Sequence, residues 1–246
     1  MAHRIESIES LFNMIEKLFS TCILSQDLTP PESDHLKMIS FFETFILDTI
    51  SFYKKEKMSD TEPLVGLSQS KYNMIHLFDE FDWLNSQINK FAGVYLSELG
   101  VDVSTVDIYA QKSWPVSNHL NNFSILCHKH TGSVLSAVYY VEVSDSDQCP
   151  LVFENTNDIF SQLPLSQSFV TRYAYKEASF YPNTGKLIIF PSHLNHYVAE
   201  SLNISRRFSV SYDLMVTGKK NTIYRRGQGN TVLNPEHWKN LSGTGG

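Results

Sequence analysis

The sequence predicts a mainly β (α+β) fold, an antiparallel barrel or jelly roll with N-terminal helices packed outside it. Up to about residue 100, apolar side chains recur at spacings of three and four, as in amphipathic helices. Beyond that point, short β-branched and aromatic runs alternate with turn residues, and no helical pattern separates them. This order favours an antiparallel architecture. We expect one domain over residues 1–246, with a largely helical flank (1–100), a jelly-roll core (101–216) and a C-terminal tail (217–246).

Three helices are predicted in the flank. The first covers residues 5–19, where an apolar stripe runs along the segment. The second begins at Pro30–Asp34, where prolines and acids suit a first helical turn, and it ends near Lys54. The third runs from about Glu80 to Leu99, because Gly100 follows where a C-terminal cap is expected.

The core is predicted to consist of short strands. Segments rich in Ser, Asp, Asn, Pro and Gly separate them at 144–147, 155–158 and 182–185. A short extended piece around Ile23 precedes the second helix. The strand-like runs are Leu135–Val143, Leu151–Phe153, Leu187–Phe190 and Phe208–Leu214.

The composition is that of a globular chain of 246 residues with a net charge of −6, which argues against nucleic acid as a partner. Cys22, Cys127 and Cys149 are odd in number and show no C-x-x-C pattern, which indicates a reducing compartment. No apolar run reaches the length of a membrane span, and the N-terminus lacks the form of a signal peptide. We therefore expect a cytoplasmic protein with no membrane partner.

Three histidines are candidate metal ligands. His128 and His130 are two apart, and on a strand such residues project from one face and reach one ion. Imidazole binds Fe, Zn, Cu or Ni, so the pair alone does not select the metal, and an exposed or core histidine pair is the alternative. His193 and His196 are three apart and would face opposite sides. We favour His196 as the ligand, because it opens a strand-like run, and assign His193 to the rim.

Arg207 and Ser209 are also two apart and would share one face of a strand. A guanidinium binds a carboxylate through two parallel hydrogen bonds, and a neighbouring hydroxyl adds a third. Burial of such a charge favours an anion beside it. The alternative is a surface arginine paired with an acid such as Glu200, a part that Arg206 suits.

Three segments together resemble a group of 2-oxoglutarate/Fe(II) oxygenases. Residues His128–Val141 are similar to that group's H-x-H-P-x-S-x-L-S-G-V-Y-Y-V stretch, although Thr131 replaces the proline. Residues Pro182–His196 resemble its P-x-x-G-x-L-x-x-F-P-S-x-L-x-H, and Arg207–Ser211 its R-x-S-x-S. Trp114 stands where the group has a tryptophan ahead of the first histidine.

The resemblance implies a double-stranded β-helix (a cupin-like jelly roll) around one ferrous ion. It implies that His128 and His196 are ligands, and that Arg207 and Ser209 hold the far carboxylate of 2-oxoglutarate, the co-substrate. The reaction would consume O2, hydroxylate a small molecule, amino acid or peptide side chain, and release succinate and CO2. Candidate linings of the co-substrate or substrate site, with ordinary core polar groups as the alternative, are Asn118, Tyr109 and Tyr140.

The third metal ligand departs from the wider superfamily, which has Asp or Glu two residues after the first histidine. Here that residue is His130. His130 completes a three-histidine site, swings away to leave room for water, or leaves the position to an acid of a neighbouring strand, Glu142 or Glu154. We include His130 with His128 and His196 in the predicted metal site.

Two other functions remain open on the sequence. One is a three-histidine iron dioxygenase without 2-oxoglutarate, in which Arg207 binds an acidic substrate directly. The other is a cupin-like protein that holds metal without turnover. The N-terminal helices would cover the barrel or form a homodimer.

Overall fold

The computed structural model describes residues 21–56, 64–66, 69–118, 123–144, 149–155, 175–201, 206–219 and 232–239. Two α-helices lie in these residues, α1 at Glu32–Glu56 and α2 at Asp82–Glu98, and both confirm predicted segments. Gly100 follows α2 with a φ of 81°, as the expected C-terminal cap requires. The helix predicted at 5–19 lies outside the described residues. None of the helices described is long and apolar enough to cross a membrane.

The β-structure consists of two antiparallel sheets. The strands are β1 (Leu24–Asp27), β2 (Leu64–Val65), β3 (Val106–Asn118), β4 (Phe123–His128), β5 (Leu135–Val143), β6 (Leu151–Glu154), β7 (Glu177–Phe180), β8 (Lys186–Pro191), β9 (His196–Ser201) and β10 (Arg207–Gly218). The larger sheet has the order β1-β8-β5-β10-β3-β2 and the smaller one β4-β9-β6-β7. In the described part of the chain the sheets stay open, so the jelly roll is confirmed and the closed barrel is not found.

The outer face of the larger sheet packs against the two helices. Phe42 of α1 stacks on Phe208 of β10, with ring centroids 4.7 Å apart and an interplanar angle of 6°. Trp83 of α2 meets Tyr139 of β5 edge-on at 5.9 Å. Aromatic pairs of this kind bury large apolar areas, so the helices fix the position of the larger sheet from outside. The predicted placement is confirmed for α1 and α2.

A second core lies between the two sheets. Phe153 of β6 packs against Phe190 of β8 with ring centroids 4.8 Å apart. Trp114 of β3, Tyr140 of β5 and Val198 of β9 belong to the same buried cluster. This core occupies only part of the space between the sheets, and the remainder is a cavity.

Strand β10 lies between the helix-side core and the cavity, and its even- and odd-numbered residues face opposite sides. Its even-numbered residues from Phe208 to Leu214 are apolar and buried on the helix side. Its odd-numbered residues from Arg207 to Asp213 are polar and line the cavity. Successive side chains of a strand point to opposite faces, so β10 builds the hydrophobic core and the site at the same time.

Candidate metal centre

Three histidines meet at one wall of the cavity. The metal-binding ring atoms of His128, His130 and His196 all lie within 4.8 Å of one another. His128 ends β4 and stands opposite His196, the first residue of β9, in the strand register. His130 lies two residues beyond the end of β4 rather than on it, and its backbone N–H donates to the Ser192 carbonyl at 2.9 Å. Strand pairing therefore brings two histidines together, and this loop contact brings the third.

Each of the three imidazoles is oriented by a hydrogen bond at Nδ1. Nδ1 of His128 lies 2.8 Å from the Leu126 carbonyl oxygen, and Nδ1 of His196 lies 2.9 Å from that of Leu194. Nδ1 of His130 lies 2.5 Å from Oδ1 of Asp213. Since all three partners are acceptors, each Nδ1 carries a proton, and each ring in its neutral form keeps its lone pair on Nε2. Three such nitrogens are a ligand set suited to a first-row transition metal.

Burial lowers the pKa of two of the three rings. It lowers the pKa of His196 to about 4. The hydrogen bond to the Leu194 carbonyl raises this pKa, but its effect is smaller than that of burial. Burial also lowers the pKa of His128. A neutral imidazole is the form that binds metal, so the lowered pKa values of these two rings favour metal binding at neutral pH.

Aromatic side chains hold the imidazoles from the other side. The indole of Trp114 stacks on His130, with ring centroids 5.6 Å apart and an interplanar angle of 20°. Phe190 packs edge-on against His196 at 4.9 Å. These rings restrict the rotation of the histidines and exclude water from the inner side of the cluster.

The cavity beside the histidines has a volume of about 400 Å³. Arg207, Ser209 and Tyr140 line it from the larger sheet. Arg207 is 2% exposed, and its Nη1 donates to the Cys149 carbonyl at 2.8 Å. Its Nη2 lies 3.4 Å from the Tyr140 hydroxyl, and its Cζ lies 5.1 Å from the centroid of that ring. The cavity therefore has a histidine cluster and a fixed, buried guanidinium in its walls.

Asp213 belongs to the site, although it is not among the residues predicted from the sequence. It is 7% exposed, lines the cavity from β10 and contacts His130. The signal was present, because the alternation that marks Arg207 and Ser209 continues through Ser211 to Asp213. An acid at such a position inside an apolar strand is rare unless it has a partner.

Comparison with known proteins agrees with this geometry. Residues 112–213 match the model of a family described as "Putative 2OG-Fe(II) oxygenase". The matched region belongs to the 2OG-Fe(II) oxygenases. It contains the three histidines, Arg207, Ser209 and Asp213. Fe(II) and 2-oxoglutarate are thus the cofactor and co-substrate of this oxygenase, as the resemblance implied. No curated protein matches the chain in sequence.

Several solved structures resemble this chain at low sequence identity. EvdMO1 is 8% identical with a TM-score of 0.50, over 79% of this chain and 47% of its own. HygX from Streptomyces hygroscopicus, solved with nickel and 2-oxoglutarate bound, is 12% identical with a TM-score of 0.47, over 85% and 87%. A prolyl-4-hydroxylase from Pseudomonas putida is 11% identical with a TM-score of 0.46, over 80% and 94%. At these identities the similarity concerns the fold alone.

The other residues singled out in the oxygenase sequence lie elsewhere. His193 is exposed in the turn before β9. Glu142 accepts a hydrogen bond from Arg206 at 3.2 Å, and Glu154 accepts one from Asn195 at 3.2 Å. Neither acid lines the cavity.

Tyr109 and Asn118 were both predicted to line the co-substrate or substrate site. Tyr109 does not line the cavity, and its hydroxyl accepts from Nδ2 of Asn234 at 3.0 Å, so that expectation is wrong. The backbone of Asn118 pairs with that of Arg207, but its side chain lies outside the described residues. Its predicted role stays a prediction.

Proposed function

We propose that this oxygenase is a hydroxylase of a small molecule, amino acid or peptide side chain, which releases succinate and CO2. One observation carries the proposal: three imidazoles with free Nε2 atoms and a buried guanidinium line the same cavity. A metal-binding cluster alone fits many functions. The arginine adds the group that a dicarboxylate co-substrate needs.

His128, His130 and His196 would hold the iron. Their Nδ1 atoms are occupied by acceptors, which supports ligation through Nε2 in all three. When bound, Fe(II) supplies the redox chemistry that couples decarboxylation of 2-oxoglutarate to oxidation of the substrate by O2. The part of the chain is to lower the pKa of His128 and His196, to orient all three imidazoles, and to leave metal positions open toward the cavity.

Arg207 and Ser209 would hold the far carboxylate of 2-oxoglutarate. Both are buried and belong to one strand, so their spacing is set by the β10 backbone. The bond to Cys149 and the contact with Tyr140 fix the guanidinium before any ligand arrives. A guanidinium that is already ordered loses little side-chain entropy on binding, and this supports tight capture of a carboxylate. Asn118 is the further proposed contact to this ligand.

The substrate is proposed to be small, or to enter as a single side chain. A cavity of about 400 Å³ lies near the lower end of small-ligand pockets, and it must also contain the co-substrate. Its walls include apolar side chains of both sheets, among them Val116, Ile125 and Val198. These walls exclude water from the reacting groups.

An anaerobic titration of the metal-free protein with Fe(II) and then 2-oxoglutarate tests the proposal. We expect the weak visible charge-transfer band of the iron-bound chelate in the wild type, and its loss in His128→Ala and His196→Ala. His193→Ala is the matched control, because His193 is exposed near the site but outside the cluster. If iron binds and no band forms, the three-histidine dioxygenase without 2-oxoglutarate becomes the better hypothesis. If the band forms but no substrate screen consumes O2, the non-catalytic metal-binding protein does.

Location and assembly are proposed separately. A cytoplasmic location is supported by Cys22, Cys127 and Cys149, which form no disulfide with one another. Cell fractionation that finds the protein in the periplasm or the medium would contradict it. A homodimer stays a prediction, and light scattering of the purified protein checks it.

A further inference from the structure

The contact between His130 and Asp213 joins residues from different parts of the fold. Oδ1 of Asp213, on β10, lies 2.5 Å from Nδ1 of His130, in the loop after β4. Both side chains are largely buried, with exposed fractions of 11% for His130 and 9% for Asp213. His128 and His196 have backbone carbonyls in the equivalent position. Among the described residues, His130 is therefore the histidine of the cluster whose Nδ1 contacts a carboxylate.

A row of serine hydroxyls leads to the same carboxylate. Ser133 donates to Ser192 at 3.0 Å, and the hydroxyls of Ser192 and Ser136 are 2.9 Å apart. Ser136 in turn donates to Oδ1 of Asp213 at 3.4 Å. Because the row ends on an acceptor, its donors all point toward Asp213, and successive bonds of this kind polarise one another. Asp213 is thus held by the fold in the place where it meets His130.

We propose that Asp213 is a positioning residue of the metal centre, which acts through His130 to supply the negative charge that a carboxylate ligand supplies elsewhere in the superfamily. This inference rests on the proposed metal site. A histidine that donates Nδ1–H to a carboxylate is a better electron donor at Nε2 than one bonded to a carbonyl. The three histidines plus Asp213 then carry the same formal charge as two histidines plus an acid, with the charge one imidazole further from the metal.

Asp213→Asn separates the charge from the hydrogen bond, because the amide oxygen of asparagine still accepts from Nδ1. We expect Fe(II) affinity to fall about 10- to 100-fold in an anaerobic competition with a chelator, the range typical of outer-shell partners of metal ligands. We also expect the Fe(III)/Fe(II) reduction potential to rise, because the ferric state loses more stabilisation than the ferrous one. A residue with only a structural role would leave the potential unchanged.

Asp48→Asn is the matched control. Asp48 lies on α1, away from the cavity, and accepts hydrogen bonds from Tyr72 and Lys71. The substitution therefore replaces a hydrogen-bonded carboxylate by an amide, as it does at Asp213. Its iron affinity and potential should equal those of the wild type. An Asp213→Asn protein that binds iron within twofold of the wild type, at the same potential, overturns the inference.

A second test compares the effect of Asp213→Asn in two backgrounds, the wild type and His130→Asp. A loss that came only from poorer folding of Asp213→Asn would be the same in both. His130→Asp places an acid at the ligand position itself, so a charge at Asp213 becomes superfluous and repels the new one. In this background Asp213→Asn should leave iron affinity unchanged or raise it. An equal loss in both backgrounds would overturn the inference, since it indicates a general effect on the fold. A wild type that binds no iron would instead overturn the proposed metal site itself.

Discussion

His128 and His196 face each other across β4 and β9, with ring centroids 4.3 Å apart, and each contacts through Nδ1 the carbonyl oxygen two residues earlier in its own chain segment. The same local bond is thus made twice, on two paired strands. It aims both Nε2 atoms into the space between the sheets. The register of β4 against β9 is therefore a condition for bringing the two rings together, and a slip of one residue would turn one of them away.

Arg207 and Arg206 provide a matched pair for testing co-substrate binding. Arg207→Lys should weaken 2-oxoglutarate binding about 10- to 100-fold, because a charge-assisted hydrogen bond contributes roughly 1.5–3 kcal/mol. Arg206→Lys should have little effect, since Arg206 is half-exposed and pairs with Glu142. The Kd for 2-oxoglutarate of the iron-loaded protein is the measurement. If Arg207→Lys changes only the affinity for substrate, Arg207 binds substrate directly.

The stability of the metal-free protein should fall as the pH is lowered through the histidine range. The pKa of His196 is about 4 in the folded state and about 6.5 in an unfolded chain, so the unfolded state binds more protons between these values. The free energy of unfolding then decreases with falling pH by at most about 1.4 kcal/mol per pH unit for this group. Urea titrations at several pH values measure the slope. His196→Gln should reduce this slope, and a slope equal to that of the wild type would disprove the assignment.

Substitution by alanine at two glycines should change the free energy of unfolding in opposite directions. Gly185 has a φ of 87°, and an added Cβ would overlap the carbonyl oxygen of Leu28. Its own carbonyl accepts from the Leu28 N–H at 2.8 Å, which ties the chain after β1 to the turn before β8. Gly185→Ala should destabilise by about 1–3 kcal/mol. Gly93 lies within α2 with open space around it, so Gly93→Ala should stabilise by about 0.5–1 kcal/mol. Denaturant midpoints that shift in the same direction for both would contradict this.

Two buried tyrosines differ in their hydroxyl partners. The hydroxyl of Tyr139 is buried without a hydrogen-bond partner among the described residues. The hydroxyl of Tyr212 donates to Oδ1 of Asn85 at 3.0 Å. Tyr139→Phe should leave the free energy of unfolding unchanged or raise it, because a desolvated hydroxyl is removed. Tyr212→Phe should lower it by about 1 kcal/mol. Thermal melts of both variants check the difference, and a lower Tm for Tyr139→Phe would point to a bonded hydroxyl.

The local parts of the fold and site were predictable from the sequence. Helix α1 has its prolines and acids, and α2 has Gly100 after it. Arg207 and Ser209 follow from the period of two along a strand. Such features depend on neighbours in sequence, so a periodic pattern records them.

The remaining features depend on contacts between distant segments. The approach of His130 requires the Ser192 carbonyl, and its charge partner Asp213 lies 83 residues away. Strand β3 was not predicted either, because its polar residues and Pro115 obscure the alternation. Tertiary pairing of this kind leaves no periodic trace in a single sequence.

The parity of β10 has a consequence for how this enzyme can change over evolution. Its even positions pack on the helix side, and its odd positions line the cavity of the proposed site. A substitution at Ser211, which is only partly buried and lines the cavity, can alter what the enzyme accepts without disturbing the helix packing. A substitution at Val210, one residue earlier, would be selected for folding alone. Single substitutions at odd positions of β10 can therefore change substrate preference, while the apolar even positions that pack against the helices stay the same.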